Sequence, residues 1–481
     1  MSLATRVVAA LAMLLPTALL SSAEPGGPVN ESSIDAYIRS SMQAARIPGL
    51  ALGVVQGDRV VYLQGYGVAG PDGRPVTAQT PFILGSTSKS FTALAVMQLV
   101  EAGKIDLDAP VTRYLPWFRT RDAAESARIT VRHLLHHTGG LQTYEGRAGL
   151  WDNDQSAPAL ENGVRALSTA RLRQPAGQRY EYANENYSTL GLIVQAVSGI
   201  EYEAYVRSAI FAPLRMSRSA AALSDPAAAD VASGYRYRLL WPIAFDAPYP
   251  RRMTPAGFLI SSAEDMAHYV SAQLNGGEYE HHQLLSPLGI AALHAPVSAM
   301  EHASAYGMGW AIRGAPGSTT IWHDGDVSNF HSHLRLLPEQ RLGIVVLMNV
   351  GVTGNSAAIE SLVEGVAATV LGHRPAPPTG SPWTALSRLT MMGPLLVAVL
   401  WAWRSYRLRR LYVPLAVDLC AVGAIWVLVP GAVQTPMAAI ALFAPDAFAV
   451  VVTITGVTMG CAMARVWRLR VLPAHDALEI A

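Results

Sequence analysis

The sequence predicts an α/β (α+β) protein. An antiparallel sheet drawn from both termini is flanked by helices, an all-helical region is inserted between its halves, and a C-terminal three-helix transmembrane bundle follows. Three observations carry this reading. Apolar segments at 50–55, 59–65, 318–323, 331–337 and 342–349 have strand character and lie near the two ends of one region. Between Pro81 and Ala292 the pattern is mostly helical and is broken by Gly and Pro. Beyond Arg388 the composition turns strongly apolar, in three blocks.

Taken in order, residues 1–23 read as an export signal. Arg6 precedes the apolar stretch 7–20, and Ser21-Ser22-Ala23 places small residues before Glu24. The alternative is an uncleaved N-terminal anchor. The exported domain is expected over 24–371. Its first hairpin joins 50–55 to 59–65 through Gln56-Gly57-Asp58. A helix is expected from about 87 to 102, stopped by Gly103. Phe91, Leu94, Val96, Met97 and Val100 give it apolar surface on more than one side, so it is expected to be buried. A second helix is expected over 189–197, and Pro338-Glu339-Gln340-Arg341 turns the chain between the last two strands.

A spacer is expected over 372–385, opening with His373-Arg374-Pro375-Ala376-Pro377-Pro378. Three membrane spans follow within 386–466, on the blocks 389–403, 411–433 and 447–464, and then a tail over 467–481. Arg404, Arg407, Arg409 and Arg410 follow the first block, and Arg465, Arg468 and Arg470 follow the third. Two crossings separate these clusters, so they share the cytoplasmic side and the domain lies outside. The expected location is the cytoplasmic membrane, multi-pass, with the domain extracytoplasmic. Asp418 lies inside the second block, where a carboxylate is costly in lipid. A net charge of +1 offers no reason to expect a nucleic-acid partner. Cys420 and Cys461 both fall in the apolar blocks, so no disulfide holds the exported domain.

The chemistry is concentrated in three short boxes. In Ser86-Thr87-Ser88-Lys89 a serine starts a helix and a lysine follows on the same face. Burial and the positive end of the helix dipole favour the neutral amine, which can take a proton from Ser86. In Tyr180-Glu181-Tyr182-Ala183-Asn184 an extended loop would turn Tyr182 and Asn184 toward one cleft, the phenol for proton transfer and the amide for a substrate amide. Trp322-His323-Asp324-Gly325-Asp326 is expected to end a strand. There His323 would be a cation or proton donor, and Gly325 would let substrate backbone approach and pair. The N–H of Asp326 would join that of Ser86 in an oxyanion hole.

In this order the boxes resemble the serine β-lactamase and penicillin-binding-protein superfamily, on the branch of class C β-lactamases, DD-peptidases and esterases. Supporting stretches are His133-Leu134-Leu135-His136-His137-Thr138-Gly139-Gly140, 257–265 and Tyr306-Gly307-Met308-Gly309-Trp310. The resemblance implies a nucleophile at Ser86, a general base at Lys89 and proton transfer by Tyr182. It also implies that Asn184 orients the acyl amide and that His323 occupies the carboxylate-recognition and proton-relay position. Gly325 and Asp326 are expected to border the substrate from the reading of the third box itself. The chemistry needs no metal or organic cofactor. His136-His137 belongs to a loop-shaping stretch, and His281-His282 and His331-x-His333 lack a metal-ligand spacing.

One departure bears on substrate. Class C enzymes carry Lys-Thr-Gly in the third box, and this chain has His-Asp-Gly. A histidine is only partly charged near neutral pH, and Asp324 and Asp326 add negative charge, so β-lactam turnover is expected to be poor. The expected function is a membrane-anchored serine hydrolase acting through an acyl-enzyme. Its substrates are expected to be peptidoglycan stem peptides or other D-amino-acid amides first, small esters second and β-lactams third. A second reading is an acylation-triggered membrane receptor with little turnover, favoured by three spans where one would anchor.

Overall fold

A computed structural model describes residues 31–143, 149–238, 241–315, 317–351, 356–378, 426, 437, 440–441 and 445–471. Helix α1 (Glu31–Ala45) leads into the hairpin of β1 (Gly49–Gln56) and β2 (Arg59–Gly67). Much later in the chain come β3 (Ser298–Ala299), β4 (Ser304–Tyr306), β5 (Ala311–Arg313), β6 (Thr320–Val327), β7 (Phe330–Leu337) and β8 (Leu342–Met348). Together they form one eight-stranded sheet in the order β2-β1-β8-β7-β6-β5-β4-β3. Every pairing is antiparallel, and β1 from the front of the domain lies beside β8 from its end, Leu50 opposite Met348. The expected sheet from both termini is what forms.

The two-residue period of β1 divides its side chains between two cores. Leu50, Leu52 and Val54 join Ile34 and Ile38 of α1 and Leu362 and Val366 of α5 (Ser356–Val370) on the outer face. Ala51 and Val55 join the larger core on the inner face, with the inserted helices. Each Leu, Ile or Val so enclosed contributes roughly 1.5–3 kcal/mol. Among these helices α2 (Ser88–Glu101), α3 (Asn184–Ser198) and α4 (Ala263–Leu274) matter most for the site. As expected, α2 is buried nearly all round, from Ser88 through Met97 and again at Leu99.

Several expectations need correction. Helix α3 begins at Asn184, not 189, because Glu185, Asn186 and Tyr187 are buried by tertiary neighbours that local propensity does not see. Strand β6 does not end at the third box but runs through it to Val327. The pairs His323↔Leu334, Asp324↔His333, Gly325↔Ser332 and Asp326↔His331 continue the ladder, so β7 imposes extended structure on residues with low strand preference. The strands β3, β4 and β5 were not anticipated, and the inserted region is not all-helical. Short antiparallel pairs join 82–83 to 260–261, 235–238 to 241–244 and 278–279 to 282–283. Segments of two to four residues carry no readable period.

The signal segment 1–23 and the apolar blocks 389–403 and 411–433 lie outside the described residues, apart from the isolated position Trp426. The third block falls within α6 (Pro445–Val471), where Thr453, Thr455, Gly456, Thr458 and Gly460 dilute the apolar run. Among the described residues no helix is long and apolar enough to cross a membrane, so a transmembrane bundle is not supported by them. The Pro-rich segment has no regular secondary structure up to residue 378.

Candidate active site

The chain enters the site through a single 3-10 turn, Gly85–Thr87, that runs directly into α2. Gly85 has a φ of 58°, a left-handed value that side-chain-bearing residues avoid. A Cβ there would lie 2.6 Å from the Asp326 nitrogen, and one on Gly325 would lie 1.9 Å from the Leu84 carbonyl oxygen. Two glycines therefore let the Gly85–Thr87 turn and β6 meet backbone to backbone. The Ser88 hydroxyl donates to the Gly85 carbonyl at 2.7 Å, and the Thr87 hydroxyl donates to Leu84 at 2.9 Å. Ser86 is half-buried, whereas Gly85, Thr87, Ser88 and Lys89 are buried.

One turn into α2, the Lys89 nitrogen has three neighbours. They are Ser86 Oγ at 3.1 Å, Asn184 Oδ1 at 2.8 Å and the Ala256 carbonyl oxygen at 2.5 Å. Complete burial holds the Lys89 ammonium well below its ordinary range, against a smaller upward pull from Glu185. A neutral amine has two N–H bonds and one lone pair. Asn184 Oδ1 and the Ala256 carbonyl can only accept, so they take both hydrogens and the lone pair is left for the Ser86 hydroxyl. On the other side of the same oxygen, the Tyr182 hydroxyl donates to Ser86 Oγ at 2.7 Å. The structure thus brings Ser86, Lys89, Tyr182 and Asn184 together. Tyr182 lies on extended chain, as expected, whereas Asn184 is presented by the first residue of α3.

Gly325 and the Asp326 nitrogen lie against this turn, on the inner face of the sheet. Pairing of β6 with β5 stops at Trp322, so beyond it β6 is paired only with β7 among the described residues. His323 departs from its expected role as a cation. It is 6 % exposed, and burial, with Lys89 as the next cause, lowers its pKa to about 4. Its Nδ1 lies 2.6 Å from the Asp324 carbonyl oxygen and therefore donates, and its Nε2 accepts from the Tyr306 hydroxyl at 3.0 Å. His323 is a neutral imidazole with both nitrogens engaged. The Asp324 carboxylate points to the opposite face and pairs with His333 at 2.6 Å, while Asp326 is 3.8 Å from His331. The acidic side chains of the third box thus turn away from Ser86, because successive strand residues alternate faces.

The profile described as Beta-lactamase matches residues 34–368, most of the chain. The chain belongs to the beta-lactamase family. Protein flp of Staphylococcus aureus (strain N315) is 27% identical over 353 residues, which are 72% of this chain and 67% of that protein. An unguisins hydrolase, ungD', of Aspergillus campestris is 26% identical over 359 residues, covering 70% of this chain and 65% of the relative. The octameric penicillin-binding protein homologue from Pyrococcus abyssi superposes with a TM-score of 0.62 at 26% identity, over 76% of this chain and 81% of that one. EstCE1, a hydrolase with promiscuous acyltransferase activity, shares the fold at a TM-score of 0.61 and 22% identity, over 71% of this chain and 98% of its own.

Within this beta-lactamase-family domain, three contributors were missed from sequence. The Ala256 carbonyl reaches Lys89 from the far side of the helical region, and no side-chain motif marks it. Tyr306 is buried behind His323; the Tyr306-Gly307-Met308-Gly309-Trp310 stretch signalled the family without revealing this contact. His137 is fully buried among Tyr180, Tyr182, Tyr187 and Tyr306, although its stretch was read as loop-shaping alone. Among the described residues no group of three or more His, Cys, Asp or Glu side chains is arranged to hold a metal ion.

Proposed function

We propose that this protein is a serine hydrolase that cleaves amide or ester bonds through an acyl-enzyme on Ser86. One observation carries the reading: a single serine oxygen stands 3.1 Å from a buried amine and 2.7 Å from a phenol. Lys89 takes the Ser86 proton as Oγ attacks the carbonyl carbon. The N–H groups of Ser86 and Asp326 hold the resulting oxyanion, each donor worth on the order of 3 kcal/mol. Tyr182, bonded to the same oxygen, passes a proton to the departing nitrogen or oxygen, and the Lys89 ammonium makes that loss good. Water then releases the acyl group by the reverse sequence. The hydrolase named among the relatives is in keeping with this class of reaction.

For substrates, we place D-amino-acid amides and peptides of the cell wall together with small esters. The neutral, doubly engaged His323 offers no cation to a carboxylate, which favours small esters and carboxylate-free D-amino-acid amides over D-peptides ending in a free carboxylate. β-Lactams, which do carry one, come last. We further propose that residues 386–466 tether the domain outside the cytoplasmic membrane; the arginine clusters after the first and third apolar blocks support this. Retention of the full chain in the membrane fraction after alkaline carbonate washing is the expected result, and release would refute the tether.

The hydrolase reading is tested with a fluorophosphonate probe and a panel of nitrocefin, p-nitrophenyl acyl esters and D-Ala-D-Ala peptides. Labelling and turnover of at least one ester or amide are expected, both abolished by Ser86→Ala. Labelling that survives this change would remove Ser86 from the mechanism. Acylation without turnover of any substrate would favour the receptor.

A further inference from the structure

Resting on the assignment of Ser86 and Tyr182 above, we infer that His137 is the positioning residue that sets Tyr182 against the nucleophile. Its backbone carbonyl accepts from the Glu181 N–H at 2.8 Å. Its ring Nδ1 accepts from the Ala183 N–H at 3.3 Å and from the Asn186 side-chain amide at 3.0 Å. One residue therefore grips the chain on both sides of Tyr182, and its ring lies 4.5 Å from the Tyr182 ring, centroid to centroid. Accepting a backbone N–H at Nδ1 fixes the tautomer, so the hydrogen is on Nε2.

Three features of His137 oppose stability, and none is needed to shape a loop. Its φ is 56°, in the left-handed region where a side chain is strained. Its Nε2 is buried with no hydrogen-bond partner among the described residues. Its imidazole is fully buried, and desolvation holds its pKa well below the ordinary histidine range. Such departures gather where a site demands a geometry that the fold alone would not choose. The groups around the ring are Tyr180, Tyr182, Tyr187 and Tyr306, with Lys89, His136 and His323 as the titratable neighbours. Burial keeps His136 and His323 neutral and the others are phenols, so the ring belongs to a largely uncharged surround beside the amine.

The variants His137→Ala and His137→Asn test this in the full chain. Asparagine offers an amide oxygen where Nδ1 stood and preserves the bond to Ala183; alanine preserves neither that bond nor the ring. For His137→Ala the acylation rate is expected to fall about 10–100-fold with little change in KM, the scale for a misplacement of about 1 Å. Its acid limb moves to higher pH, because water admitted beside Lys89 raises the amine toward its ordinary value. For His137→Asn the rate and the limb stay nearer those of the parent. Crystal structures of parent and His137→Ala supply a readout independent of activity: the Tyr182–Ser86 separation, 2.7 Å here, lengthens in the variant. A loss of rate that merely tracks lost folded protein, with the pH profile and that separation unchanged, overturns the inference while leaving the hydrolase intact. A parent never acylated at Ser86 refutes the hydrolase reading instead, and the crystallographic separation then decides the positioning role by itself.

Discussion

Two acceptors that can only accept, Asn184 Oδ1 and the Ala256 carbonyl, surround the Lys89 nitrogen and orient what is left of its valence toward Ser86. This makes the protonation state of one amine the switch for the whole site. Below its lowered pKa, Lys89 is an ammonium and has no lone pair for the serine proton. Activity is therefore expected to rise with pH through a value well below 10.5, and the acylation rate measured against pH reads that limb directly. Lys89→Met removes the base but fills similar volume. Turnover is expected to drop by roughly 100- to 10,000-fold, the usual range for a lost general base. Thermal stability should hold or improve, since a buried ionisable group is replaced by an apolar one. Collapse of the melting temperature together with activity would show instead that Lys89 holds the helix in place.

Among elements, the junction of the Gly85–Thr87 turn with β6 carries the geometry. Helix α2 is rigid because it is buried on nearly every side, and β6 is rigid because β7 pairs it through the whole third box. What lets the two come together is the missing side chain at Gly85 and Gly325. A methyl group on Gly325 would stand 1.9 Å from Leu84 O and 2.4 Å from Ser332 Oγ, so β6 must shift. For Gly325→Ala we expect a stability loss of roughly 1–3 kcal/mol, the range for overpacking. The oxyanion donors separate at the same time, so turnover should fall by about 100-fold or more. Chemical denaturation and ester hydrolysis, measured on the same preparation, check the pair of effects. A variant of parental activity would mean that the Asp326 N–H takes no part in the hole.

For the molecule as a whole, acid is the weakness. His136 and His323 are buried and His294 is half-buried, and loss of water lowers each to about 4. The sign follows from linkage. Above pH 6.5 these groups are neutral in both folded and unfolded chains, so their contribution is constant. Between 6.5 and about 4 the unfolded chain binds protons that the folded one refuses, and stability falls as pH falls; below about 4 the loss levels off. Each histidine is worth on the order of 3 kcal/mol when fully titrated, and three together rival the stability of an ordinary domain. Urea midpoints measured between pH 7.5 and 4 should therefore drop steeply below about 6.5. A flat profile through that window would show that these side chains reach water when charged.

Much of this was legible along the chain. The roles of the serine and lysine of the first box and of the tyrosine and asparagine of the second were implied by the resemblance that the three boxes carry together. The burial of α2 follows from residue type and spacing. So does a sheet assembled from the two ends, since its longer strands carry apolar runs that need no partner to be seen. The order of the boxes was enough to suggest the family. Tertiary structure alone decided that His323 is neutral and occupied, that Asp324 and Asp326 turn their carboxylates from the nucleophile, and that a backbone carbonyl at Ala256 completes the lysine's shell. The physical reason is common to all three. Charge state, side-chain direction and hydrogen-bond supply depend on which distant atoms exclude water and which strand sets the register, and neighbours in space are not written as neighbours in order.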